Sequence, residues 1–288
     1  MDDLVKERTD RHPCYNEKAA NYGRIHIPVA PKCNISCNYC NRKFDCANEC
    51  RPGVTSIVLT PRDALERYKM AKEKIENLSV VGIAGPGDAL ANFEQTKESI
   101  QLIQVYDPEA IFCLSTNGLM LPAYGEEIIS LGIRHITITI NAIDPEIGSK
   151  IYRRINYHGE TIRGKEASNV LLNNQLEGLK YLSSKGALCK INIVVLKNMN
   201  ENHIEDVVKK VKEYGAFMTN IVPHIPVKGS CFEGLTTIDH KELFSIRNKC
   251  EVYVKQMKHC QQCRADAAGR LTHDQSMELN QTGCRKFA

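Results

Sequence analysis

Cys33, Cys37 and Cys40 stand at C-x3-C-x2-C spacing within the stretch PKCNISCNYCNRKFDCANEC. Thiolates this close together in one short loop are metal ligands by chemistry. A structural zinc site closes its tetrahedron with four protein ligands, often as two C-x2-C pairs, whereas three cysteines at unequal spacing leave one position open. A [4Fe-4S] cluster held by three thiolates has such an open iron, on which a substrate can be bound. On spacing alone, a zinc loop or incidental thiols are the competing readings.

More ligands follow than one centre uses. Cys46 and Cys50 continue the same loop, Cys14 precedes it, and Cys113, Cys260 and Cys263 lie farther along the chain. The C-x2-C pair of Cys260 and Cys263 taken by itself fits zinc, redox chemistry or chance. Thirteen cysteines are an odd number. The start MDDLVKERTD has no apolar leader core, and no run of eighteen apolar residues occurs, so a cytoplasmic chain with reduced thiols is expected, not a disulfide framework or a membrane protein. The formal charge of +4 is interspersed with acids, which argues against a nucleic-acid partner.

The ligands need a scaffold, and the hydrophobic pattern supplies one. Thr60 is an N-cap with Pro61 at the first helical position, and helices are predicted from there, over Asn92–Tyr106, Pro122–Leu131, Ala167–Ser184 and Asn202–Tyr214. Between them lie the strand-like runs RIHIPVA, VVGIAG, IFCLST, HITITI, KINIVV and FMTNIV. About six strands alternating with helices make parallel βαβ units. The side-chain period of two puts Ile25, Ile27 and Val29 on one face and His26 and Pro28 on the other. It likewise separates Cys113, Ser115 and Asn117, and Thr137, Thr139 and Asn141, from their apolar neighbours. Polar faces recurring on parallel strands suit a barrel with a ligand in its lumen better than a sheet covered on both sides. The expectation is an α/β fold of the partial (β/α)6, TIM-like barrel type over residues 24–235. An N-terminal extension, 1–23, and a loop-rich C-terminal helix and C-x2-C tail, 236–288, flank it.

The cysteine motif after the first strand resembles the radical S-adenosylmethionine (SAM) superfamily, in which SAM chelates the fourth iron and is cleaved reductively to a 5'-deoxyadenosyl radical. The resemblance implies that Cys33, Cys37 and Cys40 hold the cluster. It implies that Tyr39 lies beside the adenine, that Gly85, Gly87 and Asp88 of GPGD receive the SAM amino group, and that Asn117, Thr139, Asn141 and the backbone at Ile191 complete the cofactor pocket.

The longer stretch HPCYNEKAANYGRIHIPVAPKCNISCNYCNRKFDCANECRPGVTS, with CQQCRADAAG near the other end, resembles the nitrogenase cofactor maturases within that superfamily. This implies two further [4Fe-4S] clusters bound as substrates, one by His26, Cys46 and Cys113 and the other by Cys14, Cys260 and Cys263. Their fusion with a SAM-derived carbon would give an eight-iron carbide precursor. It also implies an electron donor, a cluster-donating scaffold protein and a separate carrier or scaffold acceptor for the product, since the carrier domain fused to some relatives is not expected here. Cys50 departs from the family pattern, which has serine there. Cys189 is expected in the core, and Cys231, Cys250 and Cys284 receive no role. Glu49 and Asp88 are candidates for moving protons. The alternatives are a radical SAM activase with auxiliary electron-transfer clusters and a non-enzymatic iron-sulfur carrier.

Overall fold

The computed structural model describes residues 2–47 and 57–281; Glu49, Cys50 and Cys284 lie outside them. In chain order the elements are α1 (Asp3–Asp10), β1 (Gly23–His26), β2 (Ile35–Cys37), α2 (Pro61–Lys74), β3 (Leu78–Ile83), α3 (Phe93–Tyr106), β4 (Ile111–Thr116), α4 (Leu121–Ser130) and β5 (His135–Thr139). There follow α5 (Pro145–Ile151), β6 (Tyr152–Tyr157), β7 (Glu160–Arg163), α6 (Gly164–Ser184), β8 (Leu188–Val195), α7 (Ile204–Glu213), β9 (Met218–Pro223), α8 (His240–Glu251), β10 (Ala268–Arg270), β11 (His273–Asp274) and α9 (Ser276–Gln281).

The helix starts follow local chemistry. At α2, the Thr60 hydroxyl accepts from the Asp63 amide and the Asp63 carboxylate accepts from the Thr60 amide, a capping box ahead of Pro61. Asp239 and Glu242 repeat the device at α8.

Six parallel strands run in the order β1-β3-β4-β5-β8-β9, as the βα alternation predicts. The sheet stays open: among the described residues β1 and β9 do not pair, and β10 adds antiparallel to the free edge of β1, with β11 beyond it. The tail is therefore less loop-rich than expected, because β10 satisfies the edge that an open barrel leaves bare. The first strand is shorter than RIHIPVA suggests, since Pro28 has no amide to continue a ladder. The hairpin of β6 and β7 was not anticipated; it forms a second sheet with β2, in the order β2-β6-β7.

The alternation in the strands decides the layers. Ile25, Ile27, Val81, Ile83, Leu114, Ile136, Ile138, Ile191 and Ile193 point outward and pack with Tyr68, Ile100, Ile128, Leu179 and Val207 of the helices. Burying one such aliphatic side chain is worth roughly 1.5–3 kcal/mol, so register is strongly specified here. Cys189 joins this core, as expected. Slipping a strand by one residue would exchange Ile136 for Thr137. The opposite, concave face carries His26, Gly82, Cys113, Thr137, Lys190 and Asn192.

Candidate metal centre

Cys33, Cys37 and Cys40 line one cavity of about 270 Å³, together with Cys46, Asp88, Asn117, Arg42 and Arg153. β2 carries Cys37, and its pairing with β6, Ile35 opposite Ile155, fixes the loop over the barrel mouth. Hydrogen bonding with Cys37 pushes the Cys40 thiol up, a bond with Cys46 pulls it back, and burial adds to the rise. Burial, and then the charge of Asp88, pushes Cys33 up to about 12. These thiols hold their protons until a metal displaces them.

The base of the loop is held by the GPGD segment. Gly87 donates to Ala30 O at 2.6 Å and Asp88 to Lys32 O at 2.8 Å. A methyl group on Gly87 would lie within bonding distance of the Lys32 carbonyl, so only glycine permits this approach. The Asp88 carboxylate accepts from Asn117 N at 2.6 Å, Leu90 N at 2.9 Å, Ala91 N at 3.1 Å and the Thr116 hydroxyl. It ties the ends of β3 and β4 together, and burial outweighs these donors and raises its carboxyl above the usual carboxylate value. Asn117 donates to Asn34 Oδ1 at 2.7 Å and lies 3.8 Å from Cys33 Sγ.

Of the residues expected around SAM, Asp88 and Asn117 line this cavity. Tyr39 is fully buried beneath it, its hydroxyl accepting from Asn141 Nδ2 at 2.8 Å. Asn141 also accepts from Val194 N at 2.8 Å. Thr139 is buried, and its carbonyl accepts from Gln175. Ile191 points to the helices, with its backbone in the ladders of β5 and β9. Gly85 and Pro86 run beside the cysteine loop, Ala30 N donating to Gly85 O at 3.2 Å and Cys46 N to Pro86 O at 3.0 Å.

A second cavity, about 70 Å³, opens on the concave face, and His26, Cys113, Cys14, Cys260 and Cys263 all line it. His26, Gly82 and Cys113 stand side by side on β1, β3 and β4. A methyl group at Gly82 would lie 2.9 Å from His26 Cδ2 and 3.2 Å from Cys113 Sγ, so the two side chains close over the glycine. His26 Nδ1 is 2.9 Å from the Arg264 carbonyl oxygen and donates to it, which leaves Nε2 with its lone pair. Burial, then the Arg24 charge, lowers His26 to about 4, so the imidazole is neutral at physiological pH. Burial and then the charge of Cys14 raise Cys113 to about 12.

Cys14 reaches the cavity because the Pro13 carbonyl accepts from His259 Nε2 at 2.9 Å. Asn220 Nδ2 is 3.4 Å from Cys260 Sγ and Arg24 Nη2 is 3.1 Å from Cys263 Sγ. Cys46 does not line this cavity. It lines the first cavity, hydrogen-bonded to Cys40 and packed on Ala265, while its neighbour Ala47 lines the second. Cys231 lines the first cavity and is exposed; Cys250 is buried among apolar residues between α7 and α8.

Sequence reasoning missed Arg24, Gly82 and Lys190. The signal was available, since Arg24 shares the parity of His26, and Lys190 falls on the face of β8 opposite Cys189. Among the described residues no three His, Cys, Asp or Glu side chains converge tightly enough for a single metal ion. In a cubane each thiolate binds a different iron, so thiols spread around a cavity suit a cluster, and the donor sets here fit one.

The SAM-bound structure of Streptococcus suis SuiB superposes with a TM-score of 0.54 at 13% identity, over 80% of this chain and 50% of that one, a likeness of fold alone. The FeMo cofactor biosynthesis protein NifB of Bradyrhizobium diazoefficiens is 48% identical over 280 residues, 96% of this chain. That of Frankia alni is 45% identical over 95% of this chain. The chain spans 56% of the length of each of these two relatives. Residues 27–211 match the radical SAM superfamily. With that match over most of its length, the open parallel sheet and the three-cysteine cavity at its mouth, the chain belongs to the radical SAM superfamily.

Proposed function

We propose that this protein is a radical SAM enzyme of nitrogenase cofactor biosynthesis that fuses two [4Fe-4S] clusters, with insertion of a SAM-derived carbide, into the eight-iron precursor. The observation that carries this reading is the facing of His26, Cys113, Cys14, Cys260 and Cys263 into one cavity adjoining that of Cys33, Cys37 and Cys40. Surplus ligands on a shared space suit cargo that must meet, whereas electron relays are better served by separated sites. The similarity to NifB proteins supports the same assignment.

Bound at Cys33, Cys37 and Cys40, a [4Fe-4S] cluster and SAM supply reductive C–S cleavage and a radical. The chain's own residues prepare for that. Asn117 and Asp88 order the wall beside Cys33. Tyr39 and Asn141 brace the floor. The Arg42 and Arg153 side chains line the mouth, where they favour the carboxylate of an amino-acid moiety.

In the second cavity, His26 Nε2 and Cys113, with Cys46 from the wall of the first, hold one substrate cluster, and Cys14, Cys260 and Cys263 hold the other. Three protein ligands for each leave one iron of each cluster open, so both are displaceable. One SAM would donate a methyl group to a cluster sulfide, leaving S-adenosylhomocysteine; a second, cleaved with an electron from the donor, would yield the radical that takes one methyl hydrogen as 5'-deoxyadenosine, and the two remaining hydrogens would leave as protons. Cluster delivery, electrons and product removal fall to a scaffold protein, an electron donor and a carrier or acceptor. Among the described residues no helix is long and apolar enough to cross a membrane.

The deciding experiment is anaerobic reconstitution with ferrous iron and sulfide, then SAM and dithionite, and identification of the cluster product. Formation of an eight-iron species, with 5'-deoxyadenosine and S-adenosylhomocysteine released, is expected. Unchanged auxiliary clusters after turnover would identify an activase. Replacing Cys33, Cys37 and Cys40 together by alanine should abolish 5'-deoxyadenosine while iron remains on the other sites.

A further inference from the structure

Lys190 lies on the concave face of β8, in register with Thr137 of β5 and Met218 of β9, and is 7% exposed. Its ammonium is 3.9 Å from Met257 Sδ and 5.0 Å from the centre of the Tyr15 ring, and it enters the cavity shared by Cys14, Cys113 and Cys260. Among the described residues no carboxylate lines that cavity or forms an ion pair with Lys190. A buried ammonium without an anion is costly, because neither a thioether nor a ring face replaces the water it gives up. Arg24, by contrast, is occupied by the carbonyls of Gly269 and Arg270 and by Cys263.

The position of this charge relative to the thiols is informative. Cys14, Cys260 and Cys263 of one ligand group and Cys113 of the other line the same cavity as Lys190, so one cation shares a space with members of both groups.

We propose that Lys190 is the charge partner of anionic cluster cargo in this cavity, facing a space shared by thiols of both ligand groups. The inference rests on the two-cluster reading given above. An oxidised [4Fe-4S] cubane held by three thiolates is already a net anion and gains a further negative charge on reduction, and such charge is weakly screened in a space walled off from water. A fixed positive charge shared by the two groups lowers the repulsion between the cubanes they would hold. It also favours anionic over neutral cargo.

The test compares Lys190→Met, which keeps the length of the stem beside Met257, with Lys190→Arg, which keeps the charge. Each is reconstituted anaerobically with ferrous iron and sulfide. Iron per chain, the EPR spectrum of the reduced protein, cluster midpoint potentials and thermal unfolding of the iron-free chain are then measured. For Lys190→Met we expect a loss of about four irons per chain, one cubane, and a negative shift of the potential of the lumen cluster that remains. Unfolding and SAM cleavage at Cys33, Cys37 and Cys40 should be unchanged. Lys190→Arg should retain the iron. Full loading of Lys190→Met with unshifted potentials would overturn the proposal. Equal loss of iron in both variants with a lowered unfolding temperature would also overturn it, in favour of a packing role. Wild-type protein that takes up only one cubane would refute the two-cluster reading itself, and Lys190 would lose its assignment with it.

Discussion

His259 donates a hydrogen bond to the Pro13 carbonyl at 2.9 Å, joining positions 246 residues apart in the chain. Cys14 and Cys260 are the next residues along, so this single bond brings thiols from both ends of the chain to one cavity.

The first prediction follows from that bond. Replacing Cys14 alone, or Cys260 and Cys263 together, by alanine should lower iron by about four per chain and remove the same EPR signal. SAM cleavage should persist while the fused product disappears. Signals lost separately by the two variants would show that the ends do not share a cluster.

His26 should be a nitrogen ligand, because Nδ1 is committed to Arg264 and Nε2 is left with its lone pair. Pulsed EPR of the reduced protein should detect nitrogen coupling that vanishes in His26→Ala. Coupling absent from the wild type, or retained in His26→Ala, would count against ligation and leave His26 a core histidine.

Gly82→Ala tests the row formed by His26, Gly82 and Cys113. The added methyl group meets His26 Cδ2 at 2.9 Å and Cys113 Sγ at 3.2 Å, an overpacking cost of about 1–3 kcal/mol. Urea unfolding should register that loss, and the nitrogen coupling of His26 should weaken as the ring turns aside. Undiminished coupling at wild-type stability would mean that the space over Gly82 does not set the ligand geometry.

Asp107, at the end of α3, accepts from Tyr68 at 2.6 Å and from Lys72 at 2.7 Å, both on α2. Burial opposes its ionisation, but the hydrogen bonds from Lys72 and Tyr68 outweigh it and hold the carboxyl below its usual value. Asp107→Ala should destabilise the chain by about 1–3 kcal/mol at pH 7. A depressed carboxyl stabilises the fold above its unfolded pKa of about 3.9 and loses that contribution as pH falls through the folded value. The gap between variant and wild type should therefore narrow below pH 4, measured by denaturant unfolding. A gap constant from pH 7 to pH 2.5 would assign the effect to packing.

Much of the scaffold and of the ligand inventory was legible in the linear chain. The alternation in IFCLST and HITITI set Cys113 and Thr137 opposite Leu114 and Ile136, because a strand has only two faces and aliphatic burial chooses between them. Thr60 and Pro61 marked the start of α2, because capping is a matter of three or four neighbouring residues. The C-x3-C-x2-C motif announced its cavity for the same reason: its ligands are local.

The tertiary structure alone decided which distant groups meet. Nothing local predicts that Tyr39 is claimed by Asn141, that Cys46 hydrogen-bonds to Cys40 in the wall of the first cavity, or that β10 closes on β1 and delivers the Arg264 carbonyl to His26. Such contacts depend on how far the open sheet curls and where its edge is covered. Those are properties of the whole apolar core, so two residues on one face become neighbours only when helices and tail settle the curvature. Lys190 shows the division: its parity put it on the concave face, and the fold put it in one cavity with thiols from distant parts of the chain.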